Sequence, residues 1–213
     1  MNIVIAGGHP GDPEYGCGGT AARYALAGHR VTMLYLNRGE KSCPASADDP
    51  GSRVRVAEAR AAAGILGASV LFADQCDGRA VIDNARYDSF RRVLESARPD
   101  VIFTQWPIDN HPDHRAVSAL ALDAWFAMGR KPAFYYYEVS NGEDTLLFQP
   151  TDYVDITQVE SKKRSACYAH ASQSPDRYWE LQSRIARFRG LEKGCGVAEG
   201  FIRQTQSAPG VLP

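Results

Sequence analysis

The stretch "NIVIAGGHPGDPEYGCGGT", residues 2–20, contains the transition that decides the fold. Its first six residues form a short, continuous apolar run, which is typical of a parallel strand covered by helices on both faces. Glycines and prolines interrupt the run, and the Ala-rich segment that follows predicts a helix ending near Gly28. The stretch therefore predicts a buried strand that passes through a polar turn into a helix.

The same alternation of strand and helix continues along the chain. Apolar runs at residues 30–36, 68–73, 100–106 and 133–140 predict four more strands, and residues 151–156 predict a further one. Helical patterns separate the first five strands, which favours parallel strands joined by crossover helices. We therefore predict an α/β fold, a Rossmann-like three-layer sandwich with a mostly parallel central sheet and the strand order 3-2-1-4-5.

Length and composition narrow the function classes. The chain has 213 residues, so we expect a single domain over residues 1–213. A formal net charge of −1 argues against nucleic acid or an anionic membrane as a partner, because both require a clustered basic excess. No apolar run approaches the roughly 20 residues of a membrane span, and no charged leader is evident, so we expect a cytoplasmic protein. The five cysteines form no CxxC pair, which favours reduced thiols.

Two polar turns carry the residues suited to metal chemistry. Residues 8–14 follow the first strand, and "PIDNHPDH", residues 107–114, follows the fourth. In the predicted strand order these strands are neighbours at the point where ligands gather in open α/β sheets. A catalytic zinc takes three His or carboxylate ligands and keeps a position for water. His9, Asp12 and His114 are therefore candidate ligands for zinc or another divalent cation.

The motifs at these turns resemble those of the PIG-L/LmbE family of zinc-dependent N-deacetylases. The family's first motif, A-H-P-D-D-E or a close variant, stands here as "GHPGDPEYGCGGT", and its second, H-P-D-H, is complete at residues 111–114. Weaker similarities are "RVAEA" at 55–59, "YVDIT" at 153–157, "YAHASQ" at 168–173 and "AEGF" at 198–201. The resemblance spans nearly the whole chain, and two motifs in the right order, each behind a strand, make it specific.

The resemblance implies a role for each matching residue. His9, Asp12 and His114 would hold the zinc ion, and His111 would steady the oxyanion or protonate the departing amine. Asp113 would orient His111 and stabilise its charge. Read from the residues alone, His111 and His114 lie beside a helix start, where Asp113 is also a reasonable first-turn acid.

Gly11 departs from the family pattern, because it replaces the first aspartate of H-P-D-D, the family's general base. Water activated by the metal alone, with a pKa of about 7, is one explanation. A substitute carboxylate, Glu14 or Asp109, is a second, and a protein that binds its ligand without turnover is a third. We expect Gly11 and Arg55 to face the substrate, although an ion pair of Arg55 with Glu58 on a solvated helix face explains that arginine equally well.

These observations predict hydrolysis of an N-acetyl group from an amino sugar or related small molecule, with zinc-bound water as the nucleophile. The alternative is a catalytically impaired homologue that binds a metal or a sugar. A nicotinamide dinucleotide site is disfavoured, because G-x-G-x-x-G is absent after the first strand. We expect residues 39–52, a polar loop, to contribute to substrate recognition, and the sequence is compatible with a homo-oligomer.

Overall fold

The computed structural model of the protein describes residues 1–40, 49–209 and 211–213. Most of the loop at residues 39–52, which we expect to contribute to substrate recognition, therefore lies outside the described residues. In the described part, helices and strands alternate as the sequence predicts. The helices are α1 Asp12–Leu26, α2 Pro50–Leu66, α3 Asn84–Ser96, α4 Pro112–Ala127, α5 Glu160–Tyr168 and α6 Pro175–Lys193. The strands are β1 Asn2–Gly7, β2 Arg30–Asn37, β3 Ala68–Gln75, β4 Val101–Gln105, β5 Ala133–Tyr137, β6 Asp152–Asp155 and β7 Ala198–Arg203.

The strands form one sheet with the order β3-β2-β1-β4-β5-β7-β6. The first five pair in parallel in the predicted order 3-2-1-4-5, which confirms that prediction. β7 pairs antiparallel with β5 and with β6, so the sheet is mixed at one edge. The sequence analysis missed β7, because the glycine and the glutamate in "AEGFIR" break the apolar pattern of a buried strand.

Alternate side chains of β1 enter two separate cores, as the period of a strand requires. Ile3 and Ile5 pack with α1, α2, α5 and α6 on one face of the sheet. Val4 and Ala6 pack with α3 and α4 on the other. The sheet is therefore the middle of three layers, and burial of apolar surface on both faces, at about 25 cal/mol per Å², stabilises its central strands.

Close packing explains the glycines of "GCGGT" in α1. A β-carbon at Gly19 would lie 2.5 Å from Ile156 Cγ2, and one at Gly16 would overlap the ring of Tyr137. Only glycine lets the helix approach the sheet this closely. The glycines therefore serve helix packing, and they place the N-terminus of α1 directly beside the end of β1.

A buried ion pair joins β7 to two helices. Lys163 Nζ on α5 lies 2.7 Å from Glu199 Oε1, and both side chains are almost fully buried. Glu199 also accepts hydrogen bonds from the backbone N–H groups of Gly19 and Thr20 and from the hydroxyl of Thr20. The carboxylate is thus fully satisfied, as a buried charge must be.

Two expectations from composition can be compared with the structure. Within the described part of the chain, no helix is long and apolar enough to cross a bilayer. The expectation of reduced thiols holds for Cys17, Cys167 and Cys195, which are free. It is wrong for Cys76, which is disulfide-bonded.

Candidate metal and active site

The turns after β1 and β4 meet at the carboxyl edge of the sheet. Ile3 of β1 pairs in parallel with Val101 of β4, so the two strands end side by side. The backbone N–H of Gly8, in the first turn, donates a hydrogen bond of 2.7 Å to Gln105 Oε1 at the end of β4. The two histidine-containing segments are therefore held together by the sheet and by a direct hydrogen bond.

His9, Asp12 and His114 lie in contact at this junction. Asp12 Oδ2 is 3.1 Å from His9 Nδ1 and 3.1 Å from His114 Nε2, so one carboxylate oxygen bridges two imidazoles. The ring centroids of the two histidines are 5.2 Å apart. Asp12 and His114 are fixed in the first turns of α1 and α4, and His9 is fixed by its backbone N–H bond to Asp12 Oδ2. The structure therefore brings the three predicted ligands into contact, with Asp12 as the link between the two histidines.

Carboxylates dominate the electrostatics of this cluster. Burial alone lowers the pKa of His9 and of His114, but attraction by Asp12 and hydrogen bonds to neighbouring carboxylates outweigh burial. The pKa of His9 is therefore raised well above its usual value, and that of His114 is raised to about 9. Burial likewise opposes ionisation of Asp12, but the two histidines hold its pKa well below the usual range. The carboxylates thus favour positive charge within the cluster, whether a protonated imidazole or a bound cation carries it.

His111 stands at the N-cap of α4, beside the other two rings. Its centroid is 4.5 Å from that of His9 and 4.7 Å from that of His114, on which it stacks. Ring nitrogens of the three histidines lie within 4.8 Å of one another. Burial and the two neighbouring histidines lower the pKa of His111, although Asp12 and Asp113 partly oppose this effect. His111 is half-buried at the cavity wall, where it can contact a ligand beside the cluster.

The carboxylate of Asp113 contacts His9 rather than His111. Its Oδ2 is 3.1 Å from His9 Nε2, and the carboxylate accepts hydrogen bonds from Asn37 Nδ2 and from the backbone N–H groups of Gly78 and Ala80. His111 is linked to Asp113 through the backbone, since its Nδ1 accepts the Asp113 N–H at 3.2 Å. The orienting role that the resemblance implies for His111 is thus directed at His9 in this geometry.

Asp109 orients His114. Its Oδ2 is 3.1 Å from His114 Nδ1, and its Oδ1 accepts the backbone N–H of His111 at 2.7 Å. A carboxylate on the far ring nitrogen selects the tautomer that leaves the other nitrogen free to ligate. Both oxygens of Asp109 are therefore engaged in positioning, which leaves little support for Asp109 as a substitute base.

Asp77, in the loop after β3, is a site residue that the sequence analysis missed. Its Oδ1 is 3.2 Å from His9 Nε2, and together with Asp113 it forms a second group around that histidine that could hold a metal. Its Oδ2 is 3.4 Å from Arg55 Nη1. The sequence signal for Asp77 is an aspartate before a glycine, just after β3. Because β3 is two positions from β1 in the sheet, only the observed path of the loop shows that Asp77 reaches His9.

Arg55 on α2 connects two of these loops. Its Nη2 donates to the carbonyl oxygen of Pro10 at 2.9 Å, and its Nη1 reaches Asp77. The side chain also lines the cavity above the histidines. Arg55 therefore faces the space where a substrate would bind, and its partner is Asp77 rather than Glu58, whose carboxylate accepts from Ser172.

Gly11 has a backbone conformation that only glycine adopts readily. Its φ is 112° and its ψ −40°, at the N-cap of α1. Its N–H donates to Glu14 Oε2 at 3.2 Å, and Glu14 is fully buried, with Oε1 accepting the hydroxyl of Tyr35 at 2.5 Å. Glu14 thus lies beneath the turn as a structural acceptor and not as a free base.

A cavity of about 290 Å³ opens over these residues. Six of the seven predicted site residues line it, Asp113 being buried behind His9: His9, Gly11, Asp12, Arg55, His111 and His114. Later segments complete the wall with Ser140, Glu143, His170, Gln173 and Tyr178. The predicted residues therefore converge on one concave site.

Comparison with known proteins gives both deacetylases and hydratases. The chain is 29% identical over 91% of its length to diacetylchitobiose deacetylase of Thermococcus kodakarensis, of which 79% is covered. It is 28% identical over 99% of its length to 4-oxalmesaconate hydratase of Pseudomonas putida, of which 88% is covered. The crystal structure of GalB, the 4-carboxy-2-hydroxymuconate hydratase of Pseudomonas putida, superposes with a TM-score of 0.83 at 26% identity over the whole of both chains.

A family model also matches the part of the chain that builds the cluster. Residues 4–125 match the model described as PIG-L, GlcNAc-PI de-N-acetylase. The match extends from β1 into α4 and includes both histidine-containing turns. Since it covers more than half of the chain, the protein belongs to the PIG-L (GlcNAc-PI de-N-acetylase) family.

Proposed function

We propose that the protein is a metal-dependent N-deacetylase that hydrolyses the N-acetyl group of an amino sugar or related small molecule. The observation that carries the proposal is the convergence of His9, Asp12 and His114 at the cavity floor, with His111 beside them. Membership of the family and the match to a diacetylchitobiose deacetylase support the reaction type.

The donor set fits a divalent cation such as zinc. Two imidazoles and one carboxylate are the ligand types of catalytic zinc sites. Each histidine has a carboxylate on its other ring nitrogen, Asp113 for His9 and Asp109 for His114, which is the usual arrangement around metal-ligating histidines. When bound, such an ion polarises an acyl oxygen and lowers the pKa of water to about 7.

The surrounding residues would act on the substrate. His111, at the cavity wall, can donate a hydrogen bond to the oxygen that becomes negative as water adds to the acyl carbon, and one such donor is worth about 3–4 kcal/mol. The same imidazole can deliver a proton to the departing nitrogen. Arg55, which lines the same cavity, would hold polar groups of the substrate.

The test is amine release from N-acetylglucosamine and N,N′-diacetylchitobiose by metal-loaded protein. We expect turnover that is lost after chelation and returns when zinc is added back, and near-complete loss in His114→Ala. His29→Ala is the matched control, because His29 lies at the opposite edge of the sheet, beside the start of β2. A folded protein with one equivalent of metal and no amine release would favour the impaired, metal- or sugar-binding homologue.

Hydration of an unsaturated acid is the second candidate function. Two observations favour it: the match to a hydratase over 99% of the chain, and the missing carboxylate at Gly11. The discriminating assay follows the loss of 4-oxalmesaconate by its absorbance beside the amine-release assay. Turnover of that acid without amine release from either sugar would replace the deacetylase proposal.

A further inference from the structure

His170 is a buried histidine that the chemistry described so far does not use. It follows α5 at the start of a short 3-10 turn, Ala171–Gln173, and its side chain is fully buried. Within the described residues, neither ring nitrogen has a hydrogen-bond partner. Buried polar groups are rarely left unsatisfied, because each costs about 1–3 kcal/mol. An imidazole of this kind therefore calls for a ligand or a reacting group as its missing partner.

Glu14 carries the carboxyl group that lies beside this imidazole. His170 Nε2 lies 3.2 Å from Glu14 Oε1, although the angles are not those of a hydrogen bond. Glu14 cannot move freely, because Tyr35 and the N–H of Gly11 hold its two oxygens. The Glu14 carboxylate is therefore a fixed neighbour of one edge of the His170 ring.

Gly11 lies against the ring of His170 at the cavity wall. A β-carbon at residue 11 would lie 3.8 Å from His170 Cγ, which is van der Waals contact, so any longer side chain would extend across the ring. His170 lines the same cavity as His9, Asp12 and His111. Gly11, which stands where the family has an aspartate, thus borders the imidazole of His170, whose ring nitrogens have no hydrogen-bond partner among the described residues.

We infer that His170, oriented by Glu14, is the proton acceptor for the attacking water in this chain. The inference rests on the proposed deacetylation and assigns the role for which residue 11 carries no side chain. Water forms a bond from its oxygen to the acyl carbon while one of its protons passes to a ring nitrogen of His170. The C–N bond then breaks, the departing nitrogen takes a proton from His111, and acetate and amine leave. Release of the proton from His170 to solvent and reprotonation of His111 restore both groups.

Other groups at the site are less suited to this role. Asp109 has both oxygens engaged by His114 and by the N–H of His111. Asp12 bridges two histidines. Within the described residues, neither ring nitrogen of His170 has a hydrogen bond to lose when it accepts a proton.

The experiment compares His170→Ala and His170→Gln with the wild type and with His29→Ala, all metal-loaded, on N-acetylglucosamine and N,N′-diacetylchitobiose. We expect kcat to fall about 100-fold or more in both His170 variants, the range for loss of a positioned base, while KM, metal content and melting temperature stay near wild type. Added imidazole should raise the turnover of His170→Ala, in which it can occupy the vacated space, but not that of His170→Gln. The wild type assayed with the same imidazole corrects for inhibition at the metal.

The outcomes separate this inference from the proposed function. Amine release by the wild type together with unchanged kcat in a folded His170 variant overturns the inference alone. A fall in kcat that equals a loss of bound metal, without imidazole rescue, also overturns it, because His170 would then be structural. A metal-loaded wild type that releases no amine from either sugar overturns the proposed function, and the inference with it.

Discussion

Replacing Gly11 tests whether the turn after β1 needs its left-handed backbone. With φ at 112° and ψ at −40°, Gly11 lies outside the region that even Asn and Asp tolerate. The nearest atoms to an added β-carbon are 3.8 Å away, so the cost of Gly11→Ala is conformational rather than steric. A residue held in such a region costs about 1–3 kcal/mol. For a chain of this length that corresponds to a fall in Tm of roughly 2–12 °C.

Gly64→Ala is the matched control, because Gly64 lies on the exposed face of α2 with nothing within 4 Å of an added β-carbon. We expect this variant to be more stable than the wild type by up to about 1 kcal/mol. Thermal and urea unfolding followed by circular dichroism measure both changes. If Gly11→Ala unfolds at the same urea concentration as the wild type, the turn does not require glycine and the reasoning fails.

The same geometry sets the expectation for Gly11→Asp. A restored aspartate would strain the turn and begin in contact with His170, so we expect amine release at or below the wild-type rate. The paired measurement is the unfolding free energy of this variant, which should fall as in Gly11→Ala. A faster and equally stable Gly11→Asp enzyme would show that the loop accepts the family's usual base without cost.

Further predictions concern the buried charges and the ligands. Lys163→Met leaves the carboxylate of Glu199 buried without its cation, so we expect a loss of about 3–5 kcal/mol in urea unfolding. Arg184→Met, which removes an exposed ion pair, should change stability by less than about 1 kcal/mol, and an equal loss in the two variants would contradict this account. Asp109→Asn should weaken zinc binding about 10- to 100-fold in a competition with a chromophoric chelator, because His114 loses the partner of its Nδ1. Unchanged zinc affinity would show that Asp109 does not orient His114.

The sequence predicted most of the sheet because local patterns set it. Continuous apolar runs marked β1 to β5, and the common arrangement of doubly wound sheets supplied their order. β7 was missed because its stability comes from distant partners, namely the pairing with β5 and β6 and the bond of Glu199 to Lys163. Long-range pairing of this kind leaves no periodic signal in "AEGFIR".

The candidate site divides in the same way. His9, Asp12 and His114 were predictable because motif spacing and strand order place their turns together. The contacts of Asp113 with His9 and of Asp77 with the same histidine were not, because they depend on how the loop after β3 folds back over α4. Sequence motifs thus predicted the candidate donors, whereas the hydrogen bonds around them required the three-dimensional path of a third loop.

Two consecutive parts of the chain form the cavity wall. The floor comes from residues before position 125, where the family model ends, whereas Ser140, Glu143, His170, Gln173 and Tyr178 come from beyond it. The three candidate ligands are therefore encoded before position 125, whereas much of the remaining wall, His170 included, is encoded after it. Substitutions after α4 can therefore reshape the cavity wall without replacing any of the three candidate ligands. Chimeras that exchange the segment after α4 between relatives would exploit that division.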